Sequence, residues 1–311
     1  MKVSIIIPAY NVENYIERTL KSCVEQSYSD VEVVVVNDGS TDKTGEIVER
    51  FIDVRVVKLT QVNKGVSAAR NLGLQTATGD FCIFLDGDDW LETDAVKHLV
   101  ESYKKEKSFT IATFKDAYLQ DSTIRIVENE TPLGPEGHYS WNGYKESSRP
   151  YFRMNSSCYK LFDMSIIREN GLLFDLTIQN GEDGLFVCQY LQYVNNIYYL
   201  PNQLWVILNR PDSASRKPFN LTQMSIFRAL DKMENISLAD DKKYFEWRKS
   251  ERAYYLGWRL IQSKNRDSQV IKEVNRRLKQ GGHIFIFSNT KMRWKAKYIF
   301  MLFWYAYHNH K

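Results

Sequence analysis

Apolar positions along the first hundred residues fall into short β-rich runs separated by segments with helical spacing. This alternation predicts an α/β domain, its strands parallel and joined by crossover helices. Val3–Ile7 reads as the opening strand, and Val12, Ile16, Leu20 and Val24 then recur at one helical spacing and mark one apolar helix face. Val31–Val36 is an unbroken apolar run, as expected of a strand covered on both sides. Asn37-Asp38-Gly39-Ser40 ends it, and Ser40 or Thr41 suits the cap of a helix running to about Ile52. Val54–Leu59 follows as a third strand, Ala68–Thr76 as a helix bounded by Gly79, and Phe81–Leu85 as a fourth strand. Ligands of open α/β sheets bind beyond the carboxyl ends of strands. Polar clusters around Asn11, Asp38 and Asp86 fall at three such ends, so they are expected to share one crevice.

Beyond residue 105 the pattern is mixed, with a Gly/Pro-bearing loop from Pro132 to Gly137. From Lys217 onward Gly and Pro nearly vanish and helical spacing dominates, as at Tyr254, Trp258 and Ile261 and in the basic run ending at Gly281-Gly282. The resulting division is residues 1–215, in halves 1–105 and 106–215, followed by a mostly helical domain over 216–311.

Charge sharpens this division. Residues 1–215 hold 21 Lys/Arg against 30 Asp/Glu, whereas residues 216–311 hold 21 against 8, beneath a net charge of only +4. An acidic part suits a metal, and a basic part suits an anionic surface or polymer. The 43% hydrophobic and 14% aromatic content is enough for a substantial core and excludes a disordered chain. Cys23, Cys82, Cys158 and Cys188 lie far apart with no zinc-like spacing, which reads as reduced core cysteines in a cytoplasmic protein. The start at Met1-Lys2-Val3 carries no leader pattern, so export is not expected. The apolar stretch Tyr298–His308 is about half of the roughly 20 residues a spanning helix needs.

The candidate chemistry centres on Asp86-Gly87-Asp88-Asp89. Carboxylates on a rigid turn are hard oxygen ligands suited to Mn²⁺ or Mg²⁺, and Gly87 lets the backbone turn and approach a ligand closely. Taken alone, such a turn serves equally as the acidic start of a helix near Thr93. A calcium loop fits less well, because Lys97 stands where its bidentate Glu belongs.

Four ordered segments add context: Val3-Ser4-Ile5-Ile6-Ile7-Pro8-Ala9-Tyr10-Asn11-Val12-Glu13, Val36-Asn37-Asp38-Gly39-Ser40-Thr41-Asp42, Asn63-Lys64-Gly65-Val66-Ser67-Ala68-Ala69-Arg70-Asn71-Leu72-Gly73, and Phe84-Leu85-Asp86-Gly87-Asp88-Asp89. Together they resemble the successive signatures of family 2 glycosyltransferases, which have the GT-A fold. That fold is a Rossmann-like, mixed and mainly parallel sheet flanked by helices, to which this chain adds a helical appendage.

The resemblance implies a nucleotide-sugar donor, most naturally a uridine-diphosphate sugar. Pro8, Ala9, Tyr10, Asn11 and Glu13 would line the nucleoside, Asp38 would accept from a uracil ring N–H, and Asn63 and Arg70 would reach the donor. Asp38 has the alternative of a turn residue, and Arg70 that of a surface charge. Asp86 would bind ribose and the metal shell, Asp88 the metal directly, and Asp89 would cap the turn.

Further on, Asn155-Ser156-Ser157-Cys158-Tyr159-Lys160-Leu161-Phe162, Gly171-Leu172-Leu173-Phe174-Asp175 and Gly181-Glu182-Asp183-Gly184 look like the acceptor half of the same family. There the resemblance makes Asp183 the general base of inverting transfer, supported by Glu182. Two acids opening a helix also complement its dipole, whatever else they do. Arg210, in Asn209-Arg210-Pro211-Asp212-Ser213-Ala214-Ser215, matches the family's diphosphate-closing loop more loosely, and a plain surface loop is the alternative.

The resemblance ends near Ser215, and the basic remainder suits an anionic or lipid-linked glycan acceptor, such as a capsular or cell-wall polysaccharide or a teichoic acid. Lys291, Arg293, Lys295 and Lys297 precede an apolar stretch fit either to lie on the inner membrane face or to pack on the domain or on a second subunit. No nucleic-acid motif accompanies the basic charge, so nucleic acid is not an expected partner. A non-catalytic nucleotide-sugar-binding module is the other reading.

Overall fold

The computed structural model describes residues 1–106, 108–120, 123–128, 136–140, 156–210, 219–236, 242–263, 267–287 and 297–302. Most of the Pro132–Gly137 loop, Asn155, residues 211–215, the basic run at Lys291, Arg293 and Lys295, and the tail from Phe303 lie outside them. The chain forms two compact units, Met1–Leu176 with Phe186–Ser213, and Thr177–Leu185 with Ala214–Lys311.

The first unit is an α/β domain. Its opening elements are β1 (Val3–Ala9), α1 (Ile16–Val24), β2 (Val31–Asn37), α2 (Thr44–Arg50), β3 (Val56–Thr60), α3 (Val66–Thr76), β4 (Phe81–Phe84) and β5 (Trp90–Leu91). They are followed by α4 (Ala95–Glu106), β6 (Phe109–Gln120), β7 (Thr123–Val127), β8 (Gly137–Ser140), β9 (Lys160–Asp163), α5 (Met164–Glu169) and β10 (Asn196–Asn209). A helix α6 (Glu182–Tyr190) crosses the division between the units.

The sheet runs β3-β2-β1-β4-β9-β6-β10-β5, with β7 added to β6 and β8 to β10. The four strands at the β3 end are mutually parallel, and β9 joins β4 antiparallel. The inner strands β1, β2 and β4 are mainly apolar because they are covered on both faces, and every residue of β2 is buried, whereas β3 at the edge is partly exposed. Helix α1 buries Ile16, Leu20 and Cys23 against the same core. Helix α3 lies close on β1 because Gly73 has no side chain: a Cβ there would stand 2.4 Å from Ile6 Cγ2.

Several boundaries differ from the sequence expectation. Strand β3 starts at Val56, because Asp53 closes a turn with Arg55 and Val56 that leaves Val54 fully exposed. Helix α2 begins at Thr44 with Lys43 as its N-cap and no capping side chain, so neither Ser40 nor Thr41 caps it. All four cysteines are free and buried, as expected.

The second unit is helical, with α7 (Ser225–Ile236), α8 (Lys242–Ser263) and α9 (Ser268–Phe287). Its core includes Phe227, Leu230, Ala253, Leu260, Val274 and Leu278. The Gly281-Gly282 pair does not end α9, which continues to Phe287. Each glycine costs about 1 kcal/mol of helix propensity, too little to break a long packed helix. Residues 297–302 are also helical, with Tyr298 and Met301 fully buried while Ile299 and Phe300 are exposed. No helix of the described residues is long and apolar enough to cross a membrane.

At the amino ends of the parallel strands, Glu32 accepts hydrogen bonds from Ser4, Thr78 and Gly79 and pairs with Lys2 at 2.7 Å. Burial alone would raise its pKa, but the Lys2, Ser4 and Thr78 donors outweigh burial and hold it down at about 2, against an ordinary 4.5. A depressed carboxylate contributes stability above its unfolded pKa and loses it as pH falls through the folded one. Urea unfolding of wild type and Glu32→Gln should therefore differ most above pH 4.5 and converge as pH falls towards about 2.

Candidate active site

Four strand ends bring the polar clusters together along one edge of the sheet. The β1–α1 and β2–α2 loops are sewn to each other. Asn11 N–H donates to Ser40 Oγ at 3.1 Å, Thr41 N–H donates to Asn11 Oδ1 at 2.8 Å, and Lys43 N–H donates to Glu13 Oε2 at 2.8 Å. Asn11 sits at φ 51°, a left-handed conformation that Asn tolerates better than most residues. Ser40 and Thr41 are thus committed to Asn11, which explains why they leave α2 uncapped. Pro8 and Ala9 end β1 beside Val36 and Asn37, and Ala9 C=O accepts from Asp38 N–H. Tyr10 is left 46% exposed.

Asp38 is buried and organises the next loop. Its Oδ1 accepts from Gln61 Nε2 at 2.7 Å and Lys64 N at 2.8 Å, and its Oδ2 accepts from Gly65 N at 2.8 Å. Gly39, at φ +67°, allows the same loop to close, since a Cβ there would lie 2.6 Å from Asn63 N. Asn63 itself is exposed at the loop's tip.

The acidic turn is held from below by a residue outside the sequence-based selection. Thr19 Oγ1, fully buried on α1, donates towards Gly87 O at 3.0 Å and Asp89 O at 2.7 Å. Arg18 Nη2 donates to Asp88 O at 3.2 Å while its guanidinium lies 3.7 Å from the Trp90 ring centre. Gly87 is needed for close packing, because a Cβ would meet Pro8 O and Val12 Cγ2 at 3.2 Å. Its close approach is therefore to the chain's own β1 end. Thr19 was visible only as a polar residue on the buried side of an otherwise apolar helix face.

Asp89 does not cap α4, which starts at Ala95. Its N–H closes the turn on Asp86 O, and its Oδ1 accepts from Leu208 N at 2.8 Å, tying the turn to β10. Two arginines face the other two acids. Arg70 Nη2 meets Asp86 Oδ1 at 2.9 Å, and Arg210 Nε meets Asp88 Oδ2 at 2.8 Å. Arg70 is buried, 5.3 Å from the Phe174 ring centre, so the surface-charge alternative is removed. Arg210 lies 5.1 Å from the Tyr15 ring centre. Burial, then the neighbouring Asp86 charge, pushes the Asp88 carboxyl upward against the pull of Arg210. Asp89 is driven well above the carboxylate range by burial and then by Asp88 and Asp86.

Such crowded carboxylates favour a hard divalent cation, and Asp86 and Asp88 each keep one oxygen outside the arginine pairs. Among the described residues no group of three His, Cys, Asp or Glu side chains forms a metal cage. The donor chemistry fits a cation whose remaining ligands come from outside the chain.

The acceptor-side motifs are less clustered. Phe84 bridges Cys158, so the Ser156–Tyr159 turn, with Tyr159 at φ 52°, follows the end of β4. Lys160, fully buried, fastens that turn through Ser156 O at 2.6 Å and Cys158 O at 3.3 Å. Glu182 and Asp183 occupy the first turn of α6, both half-buried, in the stretch that belongs to the second unit. The preceding loop is fixed to α7 and to the 3-10 turn Leu221–Met224 before it by Gln179 N to Ser225 Oγ, Asn180 Nδ2 to Gln223 O, and Arg228 Nη2 to Thr177 O.

This strand order, with an acidic turn at the end of a parallel strand, defines a GT-A fold. Residues 4–171 match the model of glycosyl transferase family 2. The chain belongs to that family. It is 38% identical over 173 residues, 54% of its length, to glycosyltransferase GlyA of Streptococcus pneumoniae, covering 21% of that protein. It is 30% identical over 225 residues, 70% of its length, to the uncharacterized glycosyltransferase EpsJ of Bacillus subtilis, covering 64% of it. The chain therefore spans less than two thirds of the length of these curated relatives. A third relative, the Staphylococcus aureus poly(ribitol-phosphate) β-N-acetylglucosaminyltransferase TarS, is 28% identical over 66% of the chain and 35% of its own length. The solved structure of TarS residues 1–349 with UDP superposes with a TM-score of 0.68 at 20% identity, covering 100% of this chain and 92% of that one. TarS has also been solved with UDP-GlcNAc.

Thr19→Val keeps the side-chain shape but leaves the Gly87 and Asp89 carbonyls without their buried donor. It should cost about 1–3 kcal/mol in denaturant unfolding. The same variant should weaken UDP binding measured by calorimetry, whereas a change in neither quantity would show that Thr19 does not support the turn.

Proposed function

We propose that the chain is an inverting, metal-dependent glycosyltransferase that moves a sugar from a uridine-diphosphate donor to a hydroxyl of a bacterial surface glycan. The observation carrying this reading is the pair of acidic residues at the end of a buried parallel strand, each faced by an arginine from a different element. Arginines so placed are suited to donor oxygens once a ligand competes for them. Asp88 and Asp86 would hold Mn²⁺ or Mg²⁺, which supplies charge neutralisation at the departing diphosphate. Pro8 to Asn11, Glu13, Asp38 and Asn63 shape the nucleoside side of the crevice, with Asp38 acting largely through the loop it organises.

In the reaction the acceptor oxygen forms a bond to the anomeric carbon as the bond to the diphosphate oxygen breaks on the opposite face. The acceptor proton passes to Asp183, and Glu182 orients it. Arg70 and Arg210 follow the negative charge onto the leaving group. The name of TarS, together with the basic character of residues 216–311, supports an acceptor that carries phosphate, such as a teichoic acid. The exposed Ile299 and Phe300 suit a peripheral contact with the inner membrane face.

Hydrolysis of a panel of uridine-diphosphate sugars should require Mn²⁺ or Mg²⁺ and stop on addition of a chelator. Full activity in chelator, or none with any such donor, contradicts the reading. Asp183→Asn should lower transfer at least about a thousandfold while leaving UDP affinity within about twofold. Near-normal turnover would remove Asp183 from the role of base, and binding without any transfer by wild type would favour a non-catalytic module.

A further inference from the structure

Among the described residues of the second unit, Arg277 and Lys249 each meet two acids, whereas α8 carries two neighbouring arginines with one acid beside them. Arg277 makes a two-pronged contact with Asp231, at 3.0 and 2.6 Å, and also meets Glu273. Lys249 pairs with Asp231 at 2.6 Å and Glu234 at 2.7 Å. Arg248 and Arg252, four residues apart on the same helix and so neighbours on its surface, differ. Arg248 is 6% exposed and pairs with Glu251 through one terminal nitrogen, while its Nε is buried without a hydrogen-bond partner. Arg252 is half-buried, and among the described residues it makes neither a hydrogen bond nor an ion pair.

Two neighbouring guanidiniums thus have one carboxylate near them, and it is bound to Arg248, leaving the charge of Arg252 without an ion pair in a partly dehydrated place. Burying a charge without a partner is unfavourable, and a surface helix has many ways to avoid it. Burial, and then the charge of Arg248, weakens the hold of Arg252 on its proton. Glu251, Tyr255 and Tyr244 oppose this only in part. The planar guanidinium fork matches the oxygens of phosphate.

We propose that Arg248 and Arg252, with Tyr244 and Tyr255 beside them, form an oxyanion site for a phosphate group of the acceptor chain. The site follows from the surplus of positive charge itself. Its assignment to the acceptor rests on the glycosyltransferase reading. A phosphodiester seated there would anchor a polymeric acceptor through the second unit while another of its residues is glycosylated.

The test is thermal melting of the full chain, read without donor, so failure of sugar transfer leaves its outcome intact. In phosphate-free buffer Arg252→Met should melt higher than wild type, because removing an unpaired buried charge relieves the folded state. Inorganic phosphate and a soluble glycerol-phosphate oligomer should raise the melting temperature of wild type and of Arg276→Met, a control on an arginine already paired with Glu273. Neither ligand should raise that of Arg252→Met, and the oligomer's Kd should be at least about tenfold weaker for it. If Arg252→Met instead melts lower than wild type and responds to phosphate as the control does, the proposal is overturned. Indifference of wild type to both soluble ligands, with binding to phosphatidylglycerol vesicles lost in Arg252→Met, would overturn the acceptor assignment and give the site to lipid head groups. Should Arg252→Met fail to fold, Arg252→Lys keeps a charge but loses the fork. Its oligomer Kd must then weaken relative to Arg276→Met for the site to stand.

Discussion

Three carboxylates, Asp86, Asp88 and Asp89, leave one buried strand within four positions, and their mutual repulsion has to be contained by what surrounds them. Fixed groups from four other parts of the chain contain it, namely Thr19 and Arg18 on α1, Arg70 on α3, Leu208 on β10 and Arg210 just beyond it. Each fixes a different part of the turn: Thr19 and Arg18 take its carbonyls, while Arg70, Arg210 and the Leu208 N–H take its carboxyl groups. Distributing the charge in this way leaves one oxygen of Asp86 and one of Asp88 outside the arginine pairs. Such oxygens are hard donors, of the kind a divalent cation takes.

The loops above the turn obey the same economy of polar groups. Asn11, Glu13 and Asp38 have small or acidic side chains that accept backbone N–H bonds from neighbouring loops, so three strand ends are cross-linked without any helix cap. Loop backbone that would otherwise be unsatisfied becomes rigid, which lowers the ordering cost of binding a nucleotide. The exposed residues Tyr10 and Asn63 then project from a fixed frame.

The second unit applies the opposite electrostatic regime. Its acids are few and mostly surrounded by arginine and lysine, as Asp231 illustrates; its carboxyl is held down at about 2 because hydrogen bonds from Arg277 and Lys249 outweigh the effect of burial. At Arg248 and Arg252 only Arg248 has an ion pair among the described residues. The first unit thus gathers acids at one turn, whereas the second gathers bases.

Much of this was legible along the chain. Continuous apolar runs marked β1, β2 and β4, because strands buried on both faces admit a polar residue only where it finds partners, as Glu32 does, and the four ordered motifs carried the family. Helix α1 was readable from its spacing. The strand order past β4 was not, since β9, β6 and β10 pair across long and irregular separations that no local period records. Nor could the chain show that Ser40 and Thr41 serve Asn11 rather than a helix, that Asp89 reaches β10, or that Thr19 carries the acidic turn. Residue type and spacing determine which groups are available and which faces must be buried. Which donor finds which acceptor is decided only when distant segments meet, because a hydrogen bond depends on separations of a few tenths of an ångström that sequence distance does not encode.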